Sequence, residues 1–390
     1  MLHVGKFFPP QPGGIERYLA DLLAAAAAAG DTVAALVHRP AGAAQPGTDA
    51  DFPVFSARSY GHLLYTPLSP GFPAMLLRAI HRFRADILHL HLPNPSAFAA
   101  LLLPSARRLP WVVHWHADVD TAEERWIRRG YQGYRIAEQA LLRRSARVIA
   151  SSPPYLEFSS ALAPWRDRCR IIPLGVDLPR LQTIATTARR DALAAWPDGT
   201  GLRILAVGRL TYYKGFMTLL QALQQTPESR LVIVGDGPER PVLARAAAQP
   251  ALSDRVRLLG YRSDAELHAL MAECDVLCLP SLDRSEAFGI VLLEALRYGC
   301  PVIASDIPGS GVGWVVREAG HGLLVPPGDA RALAAALKRL AEAPELRMRL
   351  AGAHTMGSGL ARFDIRNHLP AFRDLYAEIQ QANATPQNVK

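Results

Sequence analysis

The stretch Ser281–Pro301, SLDRSEAFGIVLLEALRYGCP, decides how the rest of the chain is interpreted. It follows an apolar strand predicted at Asp275–Pro280 and passes from a loop into a predicted helix that is apolar on most sides. Gly289 lies near the predicted helix start, and a Gly-Cys-Pro sequence ends the helix. The helix nevertheless carries Glu286 and Glu294, and a mostly buried helix keeps a glutamate only where that glutamate has a partner.

Glu286 and Glu294 are eight residues apart in the sequence. On a helix we expect them to be separated by roughly 12 Å along the axis and roughly 80° around it. Two such acceptors suit the hydroxyl-bearing ends of one elongated ligand, and the free N–H groups at a helix start favour an anion nearby. The alternative is that Glu286 stabilises the helix dipole and that Glu294 is solvated or paired. For two glutamates considered alone, the sequence favours this alternative.

The residues around the two glutamates favour a ligand-binding role instead. The ungapped run EAFGIVLLEALRYGCPVIAS resembles the Glu-x7-Glu signature of retaining glycosyltransferases with the GT-B architecture, above all those of family 4. The resemblance implies that Glu286 contacts the donor sugar and that Glu294 contacts the ribose of the nucleotide. It also implies that the residues at the helix start, Phe288, Gly289 and Ile290, bind the donor.

The composition is that of a protein with two domains of ordinary size. The chain has 390 residues, 49% of them apolar, and this length predicts two domains. No uncharged apolar run reaches about 18 residues, so we expect no membrane span, and the first residues lack the features of a signal peptide. Four cysteines are too few for a disulfide framework at this length, and Cys274 and Cys278 lack the matching pair that a zinc site needs. We therefore expect a reducing, cytoplasmic location.

The net charge of +8 and the pI of about 9.5 suit anionic partners. We find no nucleic-acid module and no Lys/Arg tail, which argues against nucleic acid. Residues 123–147 form a predicted basic helical stretch with seven arginines and interleaved aromatic residues. This stretch is either a solvated helix face or a surface that docks on an anionic membrane, which would place the protein peripherally on the inner face of the plasma membrane.

The first residues predict the opening βαβ unit of a doubly wound α/β domain. A strand at Leu2–Phe8 is followed by a loop with Gly13 and Gly14, a long Ala/Leu helix and a strand at Thr32–Val37. The paired glycines permit close approach of a ligand to a helix N-terminus, although a plain tight turn explains them equally well. No G-x-G-x-x-G is present, which disfavours a dinucleotide oxidoreductase. The family resemblance implies that Gly13 and Gly14 bind the donor and that Glu16 binds the acceptor.

Histidines and aspartates follow the next two predicted strands. The strand Asp86–Leu92, DILHLHL, carries His89 and His91, and we expect at least one of them to be a satisfied core histidine. The segment WVVHWHADVD at 111–120 runs from a strand at Trp111–Val113 into a loop. Polar groups at the carboxyl end of a parallel strand are placed to bind ligands. Four such groups follow this strand: His114, His116, Asp118 and Asp120.

These four residues permit two interpretations. Two histidines and two aspartates suggest a metal site, and the Asp-x-Asp of Asp118 and Asp120 also occurs in a different, metal-dependent glycosyltransferase fold. The strand end VxHWHxD also occurs in many family 4 members. That resemblance implies that His116 contacts the donor sugar, and that Asp118 orients it or helps to bind the acceptor. The sequence favours the second interpretation, with no metal.

A polar linker is predicted at about 180–200, and the second domain begins with a strand at Arg203–Val207. The loop after that strand reads Gly-Arg-Leu-x3-Lys-Gly, with Arg209 and Lys214 as its cations. An arginine fork and a lysine point charge suit a diphosphate, although either residue alone is more often a surface charge. The segment GRLTYYKGFMTLLQAL resembles a family motif, which implies that both cations hold the nucleotide diphosphate and stabilise it as it leaves.

Two further loops complete the donor side of the second domain. The turn in LVIVGDGP places Asp236 at the same edge of the predicted sheet. The family resemblance places Tyr261 and Arg262 beside the nucleobase.

We therefore predict a GT-B fold of two Rossmann-like doubly wound domains that face each other across a cleft. The first domain, 1–178, is expected to bind the acceptor, the second, 200–365, the donor, and a helix in 366–390 crosses back to the first. Glu286 and His116 are expected to position the sugar, while Arg209 and Lys214 stabilise the leaving diphosphate without a metal cofactor.

The predicted reaction is retaining transfer of a hexose in surface polysaccharide assembly. The HWHxD strand end resembles enzymes that use GDP-mannose or related donors, with UDP-hexose as the alternative. A lipid-diphosphate-linked saccharide fits the basic first domain as acceptor. Two alternatives remain open: an inverting transferase or epimerase on the same fold, and a non-catalytic protein that binds sugar nucleotides.

Overall fold

The computed structural model of the chain describes residues 1–63, 66–119, 125–178, 184–352 and 359–384. The chain forms two compact units, one made of Met1–Asp177 with Ile365–Lys390 and the other of Leu178–Asp364. Each unit is Rossmann-like, with a parallel sheet flanked by helices. No helix in the described ranges has an apolar stretch long enough to span a membrane.

The first unit begins with a strand, a helix and a strand, as the sequence predicts. Its strands are β1 (Leu2–Val4), β2 (Ala34–Pro40), β3 (Val54–Ser59), β4 (His62–Leu63), β5 (Thr66–Pro67), β6 (Leu88–Leu92), β7 (Trp111–Trp115), β8 (Arg147–Ala150) and β9 (Cys169–Ile171). Its helices before the second unit are α1 (Gly14–Ala28), α2 (Phe72–Phe83), α3 (Ala99–Leu102), α4 (Pro104–Arg107), α5 (Arg125–Arg144) and α6 (Pro153–Phe158). Within the described residues, seven strands form one parallel sheet in the order β3-β2-β1-β6-β7-β8-β9.

Strands β6 and β7 are buried along their whole length, which is typical of central strands in a parallel sheet covered on both faces. Their register aligns His3 of β1 with His89 of β6, and His91 of β6 with His114 of β7. The sequence analysis placed His114 in the loop after this strand, and that prediction is wrong. Strand β7 continues to Trp115 because its pairing with β6 extends that far, so His114 is a strand residue.

The second unit repeats the same architecture. Its strands are β10 (Arg203–Val207), β11 (Arg230–Val234), β12 (Val256–Gly260), β13 (Val276–Leu279), β14 (Val302–Ser305) and β15 (Gly322–Val325). Its helices are α7 (Thr186–Ala194), α8 (Phe216–Gln224), α9 (Arg240–Ala247), α10 (Asp264–Glu273), α11 (Ile290–Arg297), α12 (Gly311–Ala319), α13 (Ala330–Glu342) and α14 (Pro344–Ala351). The described strands pair in the order β12-β11-β10-β13-β14-β15.

The apolar core of this unit forms where strand and helix residues meet. Ile204 and Ile233 of neighbouring strands pack with Leu219 of α8 and Leu337 of α13. Helix α7, in the segment 180–200 that the sequence analysis treated as a linker, belongs to the second unit and packs on α10. The sheet and its core hold the carboxyl ends of β10, β11 and β13 next to one another.

The last helix, α15 (Ile365–Ala384), belongs to the first unit and packs on α1. Arg373 binds Asp31 at 2.9 Å, and Gln380 donates to Asp86 at 3.0 Å. Tyr376 of α15 contacts His89 in the centre of the sheet. The C-terminal residues therefore complete the core of the first unit.

Candidate functional site

The loops that follow β10 and β13 in the second unit contact each other through their backbones. Gly215 has φ +66°, and a Cβ atom at this position would lie 2.0 Å from the carbonyl oxygen of Pro280. The N–H of Leu282 donates to the carbonyl of Tyr213 at 2.7 Å. Only glycine provides both the left-handed conformation and this close approach. The contact fixes the residues before Gly215 against those after Pro280.

This contact brings together two residues that the sequence analysis predicted as catalytic. Lys214 Nζ lies 2.5 Å from Glu286 Oε2, and Ser281 Oγ donates to the same carboxylate oxygen at 3.0 Å. The Lys214 side chain is 12% exposed and that of Glu286 is 11% exposed. Ser310 Oγ donates to the Glu286 carbonyl at 2.5 Å. The carboxylate and the ammonium are therefore both held in place and largely shielded from water.

The charge of Lys214 is stabilised by its partner. Burial by itself lowers the pKa of Lys214, but the Glu286 carboxylate more than offsets this effect, and the pKa is raised above its ordinary value. The ammonium group therefore stays charged at neutral pH. It carries three N–H donors, so Glu286 leaves hydrogen-bonding capacity for an anionic ligand.

The predicted geometry of the two glutamates is wrong in one respect, because Glu286 does not lie on the helix. Helix α11 begins at Ile290, and its N-cap Gly289 has φ +76°. Glu286 lies in the preceding loop, where its N–H donates to the carbonyl of Asp283 at 3.2 Å. The left-handed glycine prevents the helix from continuing back to Glu286. Glu294 is on α11 and half-buried, so the helical separation expected for the pair does not apply.

Two further residues that were predicted to bind the donor lie at the carboxyl ends of strands in the same sheet. Arg209 follows β10 and Asp236 follows the neighbouring β11, and both are exposed. A Cβ atom on Gly235 would lie 1.9 Å from the carbonyl oxygen of Gly208, so these two loops are also in close contact. The N–H of Leu210 donates to the carbonyl of Asp236 at 2.9 Å. Arg209 therefore shares the loop of Lys214, and Asp236 lies in the adjoining loop after β11.

The other residues that were predicted to bind the donor sugar nucleotide lie elsewhere in the second unit. Tyr261 is 57% exposed and, with Arg262, follows the edge strand β12. Phe288 is 3% exposed and packs against Trp314 and Phe363, so its side chain is part of the core. Only the backbone of Phe288 can serve a ligand.

In the first unit, the predicted glycine loop begins helix α1. Gly13 is the N-cap, Gly14 is the first helical residue, and both are exposed. The carboxylate of Glu16 folds back over Gly13, where a Cβ atom would lie 2.0 Å from Oε2. One turn later, the Tyr18 ring contacts the ring of His116, with centroids 5.8 Å apart. The structure therefore brings the start of α1 beside the end of β7.

Asp118 has a structural role in the loop after β7. Its Oδ1 accepts from Trp115 Nε1 at 2.8 Å and from Ser159 Oγ at 2.7 Å, and its N–H donates to the Tyr155 hydroxyl at 2.6 Å. Asp120 lies outside the described residues. Within the described ranges, the groups with the spacing of metal ligands consist of histidines alone and do not include Asp118.

A buried cluster of five histidines, which we call the histidine core, occupies the centre of the first sheet. Its members come from β1, β6 and β7 and the residue after β7: His3, His89, His91, His114 and His116. The strand register alone places them side by side, since residues two apart on one strand share a face. The sequence analysis noted four of these residues but had no means to connect them with His3.

The rings of the histidine core form two hydrogen-bonded chains. In the first chain, His3 Nδ1 lies 3.1 Å from His91 Nε2, and His91 Nδ1 lies 2.9 Å from His116 Nε2. In the second, His89 Nε2 lies 3.2 Å from His114 Nδ1, and His89 Nδ1 lies 2.6 Å from the Tyr376 hydroxyl. These are hydrogen-bond distances. Two sets of three rings, His3/His89/His91 and His91/His114/His116, also have ligand atoms within 4.8 Å of one another.

Burial makes all five imidazoles neutral. It lowers the pKa of His116 to about 3 and lowers the pKa of His3, His89, His91 and His114 well below the ordinary value. Neutral rings each offer one donor and one acceptor, which is what the two chains require.

The comparisons with known proteins agree with this fold. The family described as "Glycosyl transferase 4-like domain" matches residues 13–175, and the family described as "Glycosyl transferases group 1" matches residues 196–354. The chain is 31% identical to the O-antigen chain mannosyltransferase C of Escherichia coli over 350 residues, which cover 87% of this chain and 88% of that protein. It is 34% identical to the D-rhamnosyltransferase WbpZ of Pseudomonas aeruginosa over 280 residues, 71% of this chain and 70% of that one.

Among solved structures, the sucrose-phosphate synthase of Thermosynechococcus elongatus superposes with a TM-score of 0.78. The superposition covers 98% of this chain and 99% of that chain at 24% identity. At this identity the likeness shows the shared fold.

The histidine core should make the first unit sensitive to acid. Its folded-state pKa values lie below the unfolded value near 6.5, so below that pH the unfolded chain binds more protons and stability falls as the pH drops. Each histidine contributes up to about 1.4 kcal/mol per pH unit to that slope. Urea unfolding between about pH 7.5 and 5.5 should show a steep loss of stability, reduced in His89→Phe and unchanged in a variant of the exposed His81, His81→Gln. Stability that does not change over this range would contradict the expectation.

Proposed function

The chain belongs to the GT-B glycosyltransferases, and from this premise we propose that it is a retaining enzyme of the family 4 type that moves a hexose from a nucleotide-diphosphate sugar to a saccharide acceptor. The observation that supports this most strongly is the buried Lys214–Glu286 pair at the carboxyl ends of β10 and β13. Ligands of open α/β sheets bind at that edge. A cation and a carboxylate there match the two parts of a nucleotide sugar, its diphosphate and its hydroxyl groups.

The proposed chemistry follows from where charge develops. Breaking the bond between the anomeric carbon and the phosphate oxygen leaves negative charge on the diphosphate, which Lys214 and Arg209 would stabilise. These two cations would supply the positive charge, so the proposed reaction needs no metal cofactor. Glu286 would accept hydrogen bonds from the sugar and hold it in position. A donor phosphate oxygen would take the proton of the acceptor hydroxyl, and the new bond would form on the face that the diphosphate leaves.

We propose a GDP-mannose-like donor and a lipid-diphosphate-linked saccharide acceptor, in the assembly of a surface polysaccharide. The relatives named as an O-antigen chain mannosyltransferase and a D-rhamnosyltransferase support this choice. UDP-hexose is the alternative donor.

A panel of donors tests this proposal directly. A ligand that binds only the folded state stabilises it by about 2.7 kcal/mol at a hundredfold excess over Kd. GDP-mannose should therefore raise the melting temperature in a concentration-dependent way, more than UDP-glucose or ADP-glucose does. A larger shift with UDP-glucose would establish the alternative donor. If no sugar nucleotide shifts the melting temperature, the protein does not bind this class of ligand.

A pair of matched substitutions tests the site itself. Glu286→Gln should lower transferase turnover by about a hundredfold, the usual effect of removing one preorganised group at a reacting centre. Asp275→Asn is the control, because Asp275 lies at the opposite end of β13 and binds Arg203 Nε at 3.1 Å. Both variants break an ion pair of the second unit, but only Glu286→Gln should lose turnover. Equal losses in the two variants would mean that the Glu286 effect is a general loss of stability.

We also propose that the basic stretch 123–147 docks on an anionic membrane surface. Arg143 and Arg135 of α5 are exposed, as is Ile136, at 75%. Arg144 has another role: it lies over the Trp111 ring at 5.0 Å and donates to the carbonyl oxygens of Arg107 and Leu109. A membrane test should therefore leave Arg144 unchanged.

Replacing four arginines of α5 with glutamine should weaken binding to vesicles that contain anionic lipid. The four are Arg128, Arg129, Arg135 and Arg143. Each cation near an anionic surface contributes on the order of 1 kcal/mol, so cosedimentation should fall by at least about tenfold. The control removes the same charge from the second unit, at Arg331, Lys338, Arg339 and Arg349, all exposed. Equal losses in both variants, or none in the first, would contradict the proposal.

A further inference from the structure

The first chain of the histidine core ends at the residue expected to contact the sugar. The rings of His91 and His116 are nearly coplanar, 14° apart, with centroids separated by 5.2 Å. This is the separation of two imidazoles joined edge to edge through a 2.9 Å hydrogen bond. The rings of His3 and His91 are tilted by 35°, with centroids 5.4 Å apart and hydrogen-bonded nitrogens 3.1 Å apart.

These hydrogen bonds couple the tautomers of the three rings. Each neutral imidazole has one N–H donor and one acceptor nitrogen. If His91 donates from Nε2 to His3, its Nδ1 must accept from Nε2–H of His116, and the mobile proton of every ring is on Nε2. If His91 accepts from His3 instead, every proton is on Nδ1. The chain therefore has two arrangements, and no ring can change its tautomer alone without breaking a hydrogen bond.

The nitrogens at the ends of these three hydrogen-bonded rings favour one of the two proton arrangements. His116 Nδ1 is buried and has no hydrogen-bond partner among the described residues. With all protons on Nδ1, this atom would be a buried N–H without an acceptor, which is rare in folded proteins and costs free energy. With all protons on Nε2, it is instead an unpaired acceptor. The outward N–H then lies on His3 Nε2, which is not among the buried side-chain atoms of the described residues that lack a partner. We therefore expect every proton on Nε2 in the free protein, which leaves Nδ1 of His116 able to accept a hydrogen bond.

We propose that His91, supported by His3, is a positioning residue that holds His116 as the Nε2–H tautomer, so that Nδ1 of His116 accepts a hydrogen bond from a hydroxyl group of the sugar substrate. This inference rests on the proposed function, and on the contact with the sugar that the family resemblance implies for His116. His91 acts through His116 and does not itself touch substrate. A group that hydrogen-bonds one ring nitrogen of a histidine fixes the orientation of the ring and determines which nitrogen carries the proton.

The second chain of the histidine core supplies a matched control. His89 is as buried as His91 and lies two residues away on the same strand. It stacks on His91, with centroids 4.8 Å apart, but its hydrogen bonds go to His114 and Tyr376. Replacing His89 therefore removes a comparable pair of hydrogen bonds without releasing His116.

The first measurement needs no substrate. Nitrogen-15 NMR of the histidine-labelled wild-type protein near neutral pH should show His3, His91 and His116 all as Nε2–H tautomers. In His91→Phe, which keeps an aromatic ring but loses both hydrogen bonds, the His116 signals should shift toward a mixture of tautomers. A wild-type His116 that is Nδ1–H, or already a mixture, overturns the proposal.

The second measurement compares the kinetics of three variants. His91→Phe should lower kcat/KM by about tenfold, the equivalent of one hydrogen bond to the sugar. His91→Asn, whose side chain can accept from His116 Nε2–H, should recover most of that loss, and His89→Phe should remain close to the wild type. Equal losses in His89→Phe and His91→Phe would show a purely structural role and overturn the proposal. If the wild type transfers no sugar at all, the proposed function fails, and the NMR result alone then decides whether His91 sets the tautomer.

Discussion

The ion pair between Lys214 and Glu286 is the interaction on which the candidate donor site depends. It joins two loops that follow neighbouring strands, and it forms because Gly215 lets one loop lie directly against Pro280 of the other. A buried ion pair is weak support for stability, since hydrophobic residues of similar volume often stabilise a fold as well or better. A pair that is shielded, held by Ser281 and located at the edge of the sheet where ligands bind is better explained by function. The charge of Lys214 is preserved by Glu286, and both groups keep hydrogen-bonding capacity for a ligand.

The first unit has a polar layer at the centre of its sheet, where most proteins have an apolar core. Five neutral imidazoles fill the centre of its sheet, and their hydrogen bonds replace those that water would make in the unfolded chain. The layer is complete only when α15 supplies Tyr376, nearly three hundred residues after His89. The C-terminal helix is therefore hydrogen-bonded to the second chain of the histidine core, which packs beside the chain that ends at His116. Two ring nitrogens of the histidine core, His114 Nε2 and His116 Nδ1, are buried without a hydrogen-bond partner among the described residues. We propose the second of them as the acceptor for a ligand hydroxyl.

Much of this structure could be predicted from the sequence, and the failures have physical causes. Short apolar runs predicted the opening strand–helix–strand unit and several central strands, including β10 at the residues expected. The Glu-x7-Glu stretch placed both Glu286 and Glu294 on a helix, and this was wrong for Glu286. The helix instead begins after Gly289, whose left-handed φ is a property of the folded loop. His3 was missed because its neighbours come from β6, and the pairing of β1 with β6 is set by strand order rather than by local sequence.

A structure of the protein with a donor nucleotide sugar bound in the second unit would test directly whether Lys214 and Glu286 form the donor site. The distances to measure are those from Lys214 Nζ to the diphosphate oxygens and from Glu286 to the sugar hydroxyls. We predict that the diphosphate lies within hydrogen-bond distance of Lys214 and the sugar within hydrogen-bond distance of Glu286. A donor that binds away from both residues, with the ion pair unchanged, would contradict the assignment of this pair as the donor site.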